Sequence, residues 1–163
     1  MNLSHYSDHD TITPYAASQA ETVFTYEKPK GLWVSVDGED DWATWCETEQ
    51  FRDTSSQRRH RVVLADDADV LVLDTVEKVV EFDARYSRPD GYFGNDGGPM
   101  PGAGVLRWRG IGWQDVAADH QGVIIAPYQW TLRRELSWYY AWDCASGCLW
   151  DPAAIKEVTL CRS

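Results

Sequence analysis

The first candidate for chemistry is the opening segment LSHYS, in which His5 and Ser7 stand two residues apart. If this segment is a strand, alternate side chains face the same side of the sheet, so the imidazole and the hydroxyl would lie together. Such a pair can hydrogen-bond a ribose or an amide. The alternative interpretation is that His5, close to His9 in the sequence, is an exposed residue without a chemical role.

A second candidate is the segment GLWVSV, residues 31–36. A strand here would place Trp33 and Ser35 on one face, with Leu32 and Val34 on the other. An aromatic ring beside a hydroxyl suits stacking on a flat heterocycle. The same ring suits a hydrophobic core equally well.

The segment SWYYAWDCASGCLWD, residues 137–151, offers an acid, Asp143, at the end of an aromatic run that predicts a strand. Partial desolvation and neighbouring donors are what tune functional carboxylates, and this setting can provide both. The alternative is that Asp143 caps a turn through its own backbone. Glu135 is a second candidate acid, although its neighbours LRRELS favour an exposed turn.

Sequence motifs for several other chemistries are missing. The chain has no GxSxG, no HExxH and no phosphate-binding GxxxxGK[ST]. Its four cysteines have neither the CxxC spacing of redox proteins nor half of a familiar zinc pattern. Convergence on zinc is the alternative to the favoured interpretation, which is reduced thiols that act as small apolar side chains. We therefore expect no metal site. The cysteines are Cys46, Cys144, Cys148 and Cys161.

The composition limits the class of protein. The chain has 163 residues, of which 44% are hydrophobic, and its formal net charge is −11. We expect one domain, residues 1–163, with a genuine core. The charge argues against a broad nucleic-acid-binding surface. The basic run QRRHR, residues 57–61, is interpreted as a solvated strand entry or a loop, with a local basic patch as the alternative. Since neither a signal sequence nor an apolar run of about 20 residues is visible, we expect a cytoplasmic protein without a membrane partner.

Secondary structure elements must position these candidate residues. Strands are predicted over 3–7, 31–36, 62–64, 70–73, the segments GVIIAPYQW and SWYYAWD, and AIKEVTLC; helices are predicted over EDDWATWCETEQF, 75–82 and GWQDVAADH. Residues 87–104, rich in Gly and Pro, predict a long loop that is either a lid or a connector. Because strands outnumber short helices, the predicted class is α+β, with two packed β-sheets and short peripheral helices.

The order of these elements and motifs resembles the ADP-ribosyltransferase-like family, and especially its small phage-encoded members. The run His5-Tyr6-Ser7 is similar to the family's first-strand motif, which binds the ribose and the nicotinamide amide of NAD. GLWVS looks like the family's segment beside the nicotinamide, and WYYAWDCASG looks like its strand that carries the catalytic acid. The family often has Glu at that position, with Gln or Glu two residues earlier, where this chain has Asp143 and Ala141.

The resemblance implies an ADP-ribosyltransferase-like α+β fold, NAD as substrate, and transfer of ADP-ribose to a macromolecular acceptor, expected to be a host protein in the host cytoplasm. The implied site consists of Asp143 as the catalytic residue and His5, Tyr6, Ser7, Trp33 and Ser35 as the NAD-binding residues. The change from Glu to Asp leaves open whether the chain transfers ADP-ribose, only hydrolyses NAD, or only binds it. The alternative function is a non-catalytic binding or inhibitor module that uses an aromatic-rich surface, since the chain has nine tryptophans and eight tyrosines.

Overall fold

The computed structural model of this chain describes residues 1–19, 26–89 and 109–161. In these ranges the strands are β1 (Leu3–Ser7), β2 (Leu32–Val36), β3 (Arg58–Leu64), β4 (Val70–Leu73), β5 (Ser87–Pro89), β6 (Arg109–Ile111), β7 (Gly122–Ile125), β8 (Ser146–Leu149) and β9 (Ile155–Leu160). The α-helices are α1 (Trp42–Thr48), α2 (Val76–Tyr86) and α3 (Trp113–Asp119). Short 3-10 helices cover Thr54–Ser56, Trp130–Arg134, Tyr139–Ala141 and Pro152–Ala154.

Seven of these strands form one sheet, in the order β4-β7-β8-β2-β1-β3-β9. Its neighbouring strands are antiparallel except β4 and β7, which are parallel. Strands β5 and β6 form a second, two-stranded antiparallel sheet. The predicted α+β class is confirmed, with one large and one two-stranded sheet in the described residues, and the packing of two sheets on each other stays a prediction. The sheet order makes β1, β2 and β8 neighbours at the middle of the large sheet.

Two adjacent strands of the large sheet, β7 and β8, are fully buried. Every residue of β7 and β8 is buried. A Cβ on Gly147 of β8 would stand only 2.4 Å from the carbonyl oxygen of Val123 in β7, so the glycine allows these two strands to approach closely. Helix α2 adds Val79, Phe82 and Tyr86 to the core, at the spacing of one helical face.

Helix starts follow the capping chemistry of the sequence. The Asp41 carboxylate accepts a hydrogen bond from the Thr44 N–H at the start of α1. The Thr75 hydroxyl accepts one from the Lys78 N–H at the start of α2. These side chains satisfy backbone donors that lack partners within the first turn. The predicted helices over 75–82 and GWQDVAADH are confirmed, and that in EDDWATWCETEQF covers only Trp42–Thr48.

The predicted strand over SWYYAWD is wrong. Residues 139–141 form a 3-10 helix, and the strand begins only at Ser146. A strand would bury alternate residues, whereas Trp138, Tyr139 and Trp142 are buried here and Tyr140 is 52% exposed. The large rings therefore point into the core from a turn of helix rather than from a pleated strand.

Two further boundaries differ from the prediction. The strand expected over GVIIAPYQW ends at Ile125, before Pro127, whose nitrogen has no hydrogen to donate to a ladder. Within the predicted loop over residues 87–104, Ser87–Pro89 form strand β5. The rest of that loop lies outside the described residues, so its interpretation as a lid or connector stays a prediction.

Candidate functional site

A cavity of about 320 Å³ lies against the middle of the large sheet. It contains five of the six residues predicted for the site, namely His5, Tyr6, Trp33, Ser35 and Asp143. The sixth, Ser7, is not among the lining residues, and its hydroxyl accepts a hydrogen bond from the His9 N–H at 3.1 Å. The fold thus brings together residues from three separate segments of the sequence.

A row of three serines crosses the sheet beneath this cavity. Ser4 of β1 lies opposite Ser35 of β2, and Ser35 lies opposite Ser146 of β8. Directly opposed residues share a face, so the three side chains point to the same side. All three are buried and line the cavity. Because a serine side chain is small, this row leaves space above the sheet that larger residues would fill.

Each hydroxyl of the serine row already has a partner. Ser4 accepts from the Arg59 Nε–H at 2.9 Å, and Ser35 accepts from the backbone N–H of Trp42 at 2.9 Å. The Ser146 hydroxyl donates to the carbonyl oxygen of Cys144 at 3.0 Å. Ser35 therefore positions the first residue of helix α1 at the cavity wall. A ligand would meet hydroxyls that are fixed in place.

The predicted pairing of His5 with Ser7 is not what lines the cavity. From the register of β1 and β2, Tyr6 shares the serine face with Trp33, whereas His5 belongs to the opposite face. His5 nevertheless lines the cavity, and β1 pairs with β2 only at the Leu3 and Ser4 positions. Beyond them its Nδ1 hydrogen-bonds the Trp33 carbonyl oxygen at 2.7 Å.

The protonation of His5 follows from these surroundings. Burial lowers the pKa of its imidazole, the neighbouring His60 lowers it further, and the hydrogen bond to the Trp33 carbonyl opposes them. A neutral imidazole can make that bond only with its proton on Nδ1, because a carbonyl oxygen only accepts. His5 is then left with Nε2 as an acceptor.

Asp143 lies between two cations. Its Oδ2 is 3.1 Å from Lys28 Nζ, and its Oδ1 is 3.6 Å from a terminal nitrogen of Arg133. The side chain is 24% exposed. Among the contacts of the described residues, its partners are these cations rather than the backbone of the following turn. That arrangement differs from the turn-capping interpretation and keeps the carboxylate at the cavity wall.

Aromatic rings form much of the remaining wall. Trp33 packs against the buried Trp142, with ring centroids 4.9 Å apart. Trp42, at the start of α1, stacks on Trp45 with centroids 5.3 Å apart, and Phe51 packs against both. Trp33 and Trp42 line the cavity directly. Such flat faces suit a planar heterocycle.

Eight lining residues were not among those predicted for the site, and three of them, Lys28, Arg52 and Gln57, carry long polar side chains. Lys28 Nζ lies 5.5 Å from the centroid of the Trp33 ring. Gln57 Oε1 is buried, and the described part of the chain gives it no hydrogen-bond partner. Lys28, Arg52 and Gln57 come from segments between strands. Of these three, only Gln57 could have been anticipated from the sequence, because it stands directly before β3. The run QRRHR, which begins with Gln57, enters strand β3 as interpreted.

The cysteines and Glu135 are not among the six residues predicted for the site, and they lie in different surroundings. Cys46, Cys144 and Cys148 are buried free thiols and Cys161 is exposed. Cys144 lines the cavity, and burial raises its pKa to about 12, so it is a neutral thiol at neutral pH. Glu135 follows the 3-10 helix Trp130–Arg134 and is not among the cavity residues. No cluster suited to a metal ion occurs within the described ranges.

The site thus combines three capacities. Its aromatic faces can stack on a flat ring, Lys28 and Arg52 can attract an anion, and Asp143 can accept a hydrogen bond or stabilise a positive charge.

Of the helices in the described residues, none is long and apolar enough to cross a membrane. Comparisons with family models, with curated proteins and with solved structures found no match to this chain.

Proposed function

We propose that this chain transfers ADP-ribose from NAD to a macromolecular acceptor and releases nicotinamide. The observation that carries the proposal is that five of the six residues expected from the family resemblance line one cavity. Those residues lie far apart in the sequence, so a chance collection of core residues would not be expected to converge there. An ADP-ribosyltransferase-like fold and a host protein as acceptor belong to the same proposal.

The cavity's chemistry supports NAD as the ligand. Trp33 offers a flat face for the nicotinamide ring, and Tyr6 lies on the same side of the sheet. Arg52 supplies positive charge for the pyrophosphate. The volume of about 320 Å³ is at the lower end of the range of roughly 300–1,000 Å³ for small-molecule sites. We therefore expect the cavity to enclose the nicotinamide and its ribose, with the adenosine half outside it.

The proposed reaction breaks the bond between the ribose C1′ and the nicotinamide nitrogen. Nicotinamide leaves as a neutral molecule with the electron pair, and C1′ gains positive charge. Asp143 accepts a hydrogen bond from the ribose 2′-hydroxyl and stabilises that charge. The acceptor's nucleophile then bonds to C1′ and loses its proton to water. One such electrostatic contact contributes about 3–4 kcal/mol by analogy with measured deletions of oxyanion-hole donors.

The direct test is nicotinamide release from NAD, together with the shift in melting temperature that NAD causes. Release that disappears in an Asp143→Ala variant supports the proposal, and a thermal shift without release supports binding alone. Absence of both, for NAD up to millimolar concentrations, would remove the basis for the proposal. Adding candidate acceptor proteins then separates transfer from hydrolysis.

The alternative, a non-catalytic module with an aromatic binding surface, receives less support from the arrangement of the tryptophans. Among those that the structure describes, Trp113, Trp138, Trp142 and Trp150 are buried. Trp130, at 56% exposed, is the one described tryptophan on the surface. Half of the eight described indole rings are therefore fully packed in the interior, and Trp33, Trp42 and Trp45 are partly buried. A protein that neither binds nor cleaves NAD would favour this alternative.

A further inference from the structure

The cavity already holds a cation, and the cation belongs to the chain itself. Lys28 Nζ lies 5.5 Å from the centroid of the Trp33 ring and 3.1 Å from Asp143 Oδ2. An aromatic face next to a carboxylate is a combination with which proteins recognise organic cations. Trp33 and Asp143 together therefore have the chemistry of a cation subsite.

The backbone on both sides of Lys28 is anchored. The Trp113 Nε1–H donates to the carbonyl oxygen of Glu27 at 2.9 Å, and the Trp33 Nε1–H donates to that of Pro29 at 3.2 Å. The Lys28 side chain is nevertheless 40% exposed and ends in a compact charge on a flexible stem. Lys28 can consequently leave the subsite by rotating its side chain while its backbone stays in place.

We propose that Trp33 and Asp143 form a subsite for a flat organic cation, and that Lys28 competes with the ligand for it. The inference rests on the proposed function for the identity of that cation, the pyridinium ring of NAD. NADH has a neutral ring in the same place, so the subsite distinguishes the oxidised cofactor from the reduced one. Lys28 lowers the affinity for the cation and keeps Asp143 paired when no ligand is bound.

The size of the competition follows from the exposure of the ion pair. Partly exposed pairs of this type are weak, because water screens them and because the lysine loses side-chain freedom. Removing Lys28 should therefore strengthen cation binding by about two- to fivefold. A ligand that carries no charge gains no comparable advantage.

The experiment measures binding of 1-methylnicotinamide, a pyridinium cation, and of neutral nicotinamide by isothermal titration calorimetry. The proteins are the wild type, Lys28→Ala and the matched control Lys30→Ala. Lys30 is an exposed lysine in the same segment and outside the described cavity lining. We expect the dissociation constant for 1-methylnicotinamide to fall two- to fivefold in Lys28→Ala only, with that for nicotinamide unchanged.

Three results would overturn the inference: unchanged or weaker cation binding in Lys28→Ala, an equal gain for neutral nicotinamide, or no cation binding by any of the proteins. Melting temperatures of the three proteins verify that each is folded. Because 1-methylnicotinamide has no ribose, its binding does not depend on NAD cleavage. If Lys28→Ala binds 1-methylnicotinamide more tightly as expected but the protein does not turn over NAD, the subsite stands and the proposed function fails. If the protein turns over NAD but this gain in binding is absent, the proposed function stands and the subsite fails.

Discussion

Replacing Asp143 by Asn tests the centre of the proposed chemistry with the smallest change of shape. The amide keeps the volume of the carboxylate but loses its negative charge, and charge is what the reaction at C1′ requires. Loss of about 3–4 kcal/mol of transition-state stabilisation corresponds to a fall in kcat of roughly 10²- to 10³-fold. The stability of the folded protein should fall much less. The pair with Lys28 is partly exposed, at 40% and 24% of the two side chains, and pairs of this kind contribute about 0–1 kcal/mol.

The assay is nicotinamide release at saturating NAD, with urea unfolding of the same preparations. Asp115→Asn is the matched control. Asp115 pairs with Arg88 at 3.0 Å on α3, an ion pair of similar length to that of Asp143, and it is outside the described cavity lining. We expect wild-type turnover in the control and a loss of about 1 kcal/mol or less in the stability of both variants. Folded Asp143→Asn protein with turnover within threefold of wild type would refute the reasoning, as would an equal loss in the control.

Three other expectations concern the fold around the site. Gly147→Ala should lower the free energy of unfolding by about 1–3 kcal/mol, because its Cβ would stand 2.4 Å from the Val123 oxygen; an unchanged urea midpoint would contradict this. Burial lowers the pKa of His5 below its ordinary value of 6.5, so the unfolded chain binds this proton more readily, and stability is lost as the pH falls below that value. His5→Gln should therefore show a shallower fall in melting temperature from about pH 7 to 5, and an equal slope would count against it. Ellman's reagent should react rapidly with one thiol of the native protein, Cys161, and a second rapid thiol would contradict the burial of the other three.

The local elements of the site could be predicted from short patterns. LWVSV is rich in strand-forming residues and is followed by the turn signal Asp37-Gly38, whereas LSHYS contains one such residue, Tyr6; both form strands within one residue of the prediction. The acids before Trp42 predicted the start of α1, where Asp41 caps the helix. In these cases the relevant interactions are made between residues close in the sequence.

What could not be predicted depends on contacts between distant segments. The aromatic run before Asp143 has no clear period, and burial of Tyr139 and Trp142 among other rings decided its conformation. Lys28 and Arg52 precede no recognisable motif, and their presence in the cavity follows from the path of the chain between strands. Ser146 became part of the site only through the register of β8 with β2.

The serine row also constrains when the site can form during protein synthesis. Ser4 and Ser35 belong to early strands, whereas Ser146 belongs to β8, which lies between β2 and β7 in the finished sheet. A nascent chain that lacks β8 has no central strand to join these neighbours, and such long-range pairing is slow. Synthesis must therefore proceed through Leu149, the last residue of β8, before the cavity can form. Chains cut short before β8 should lack the cavity.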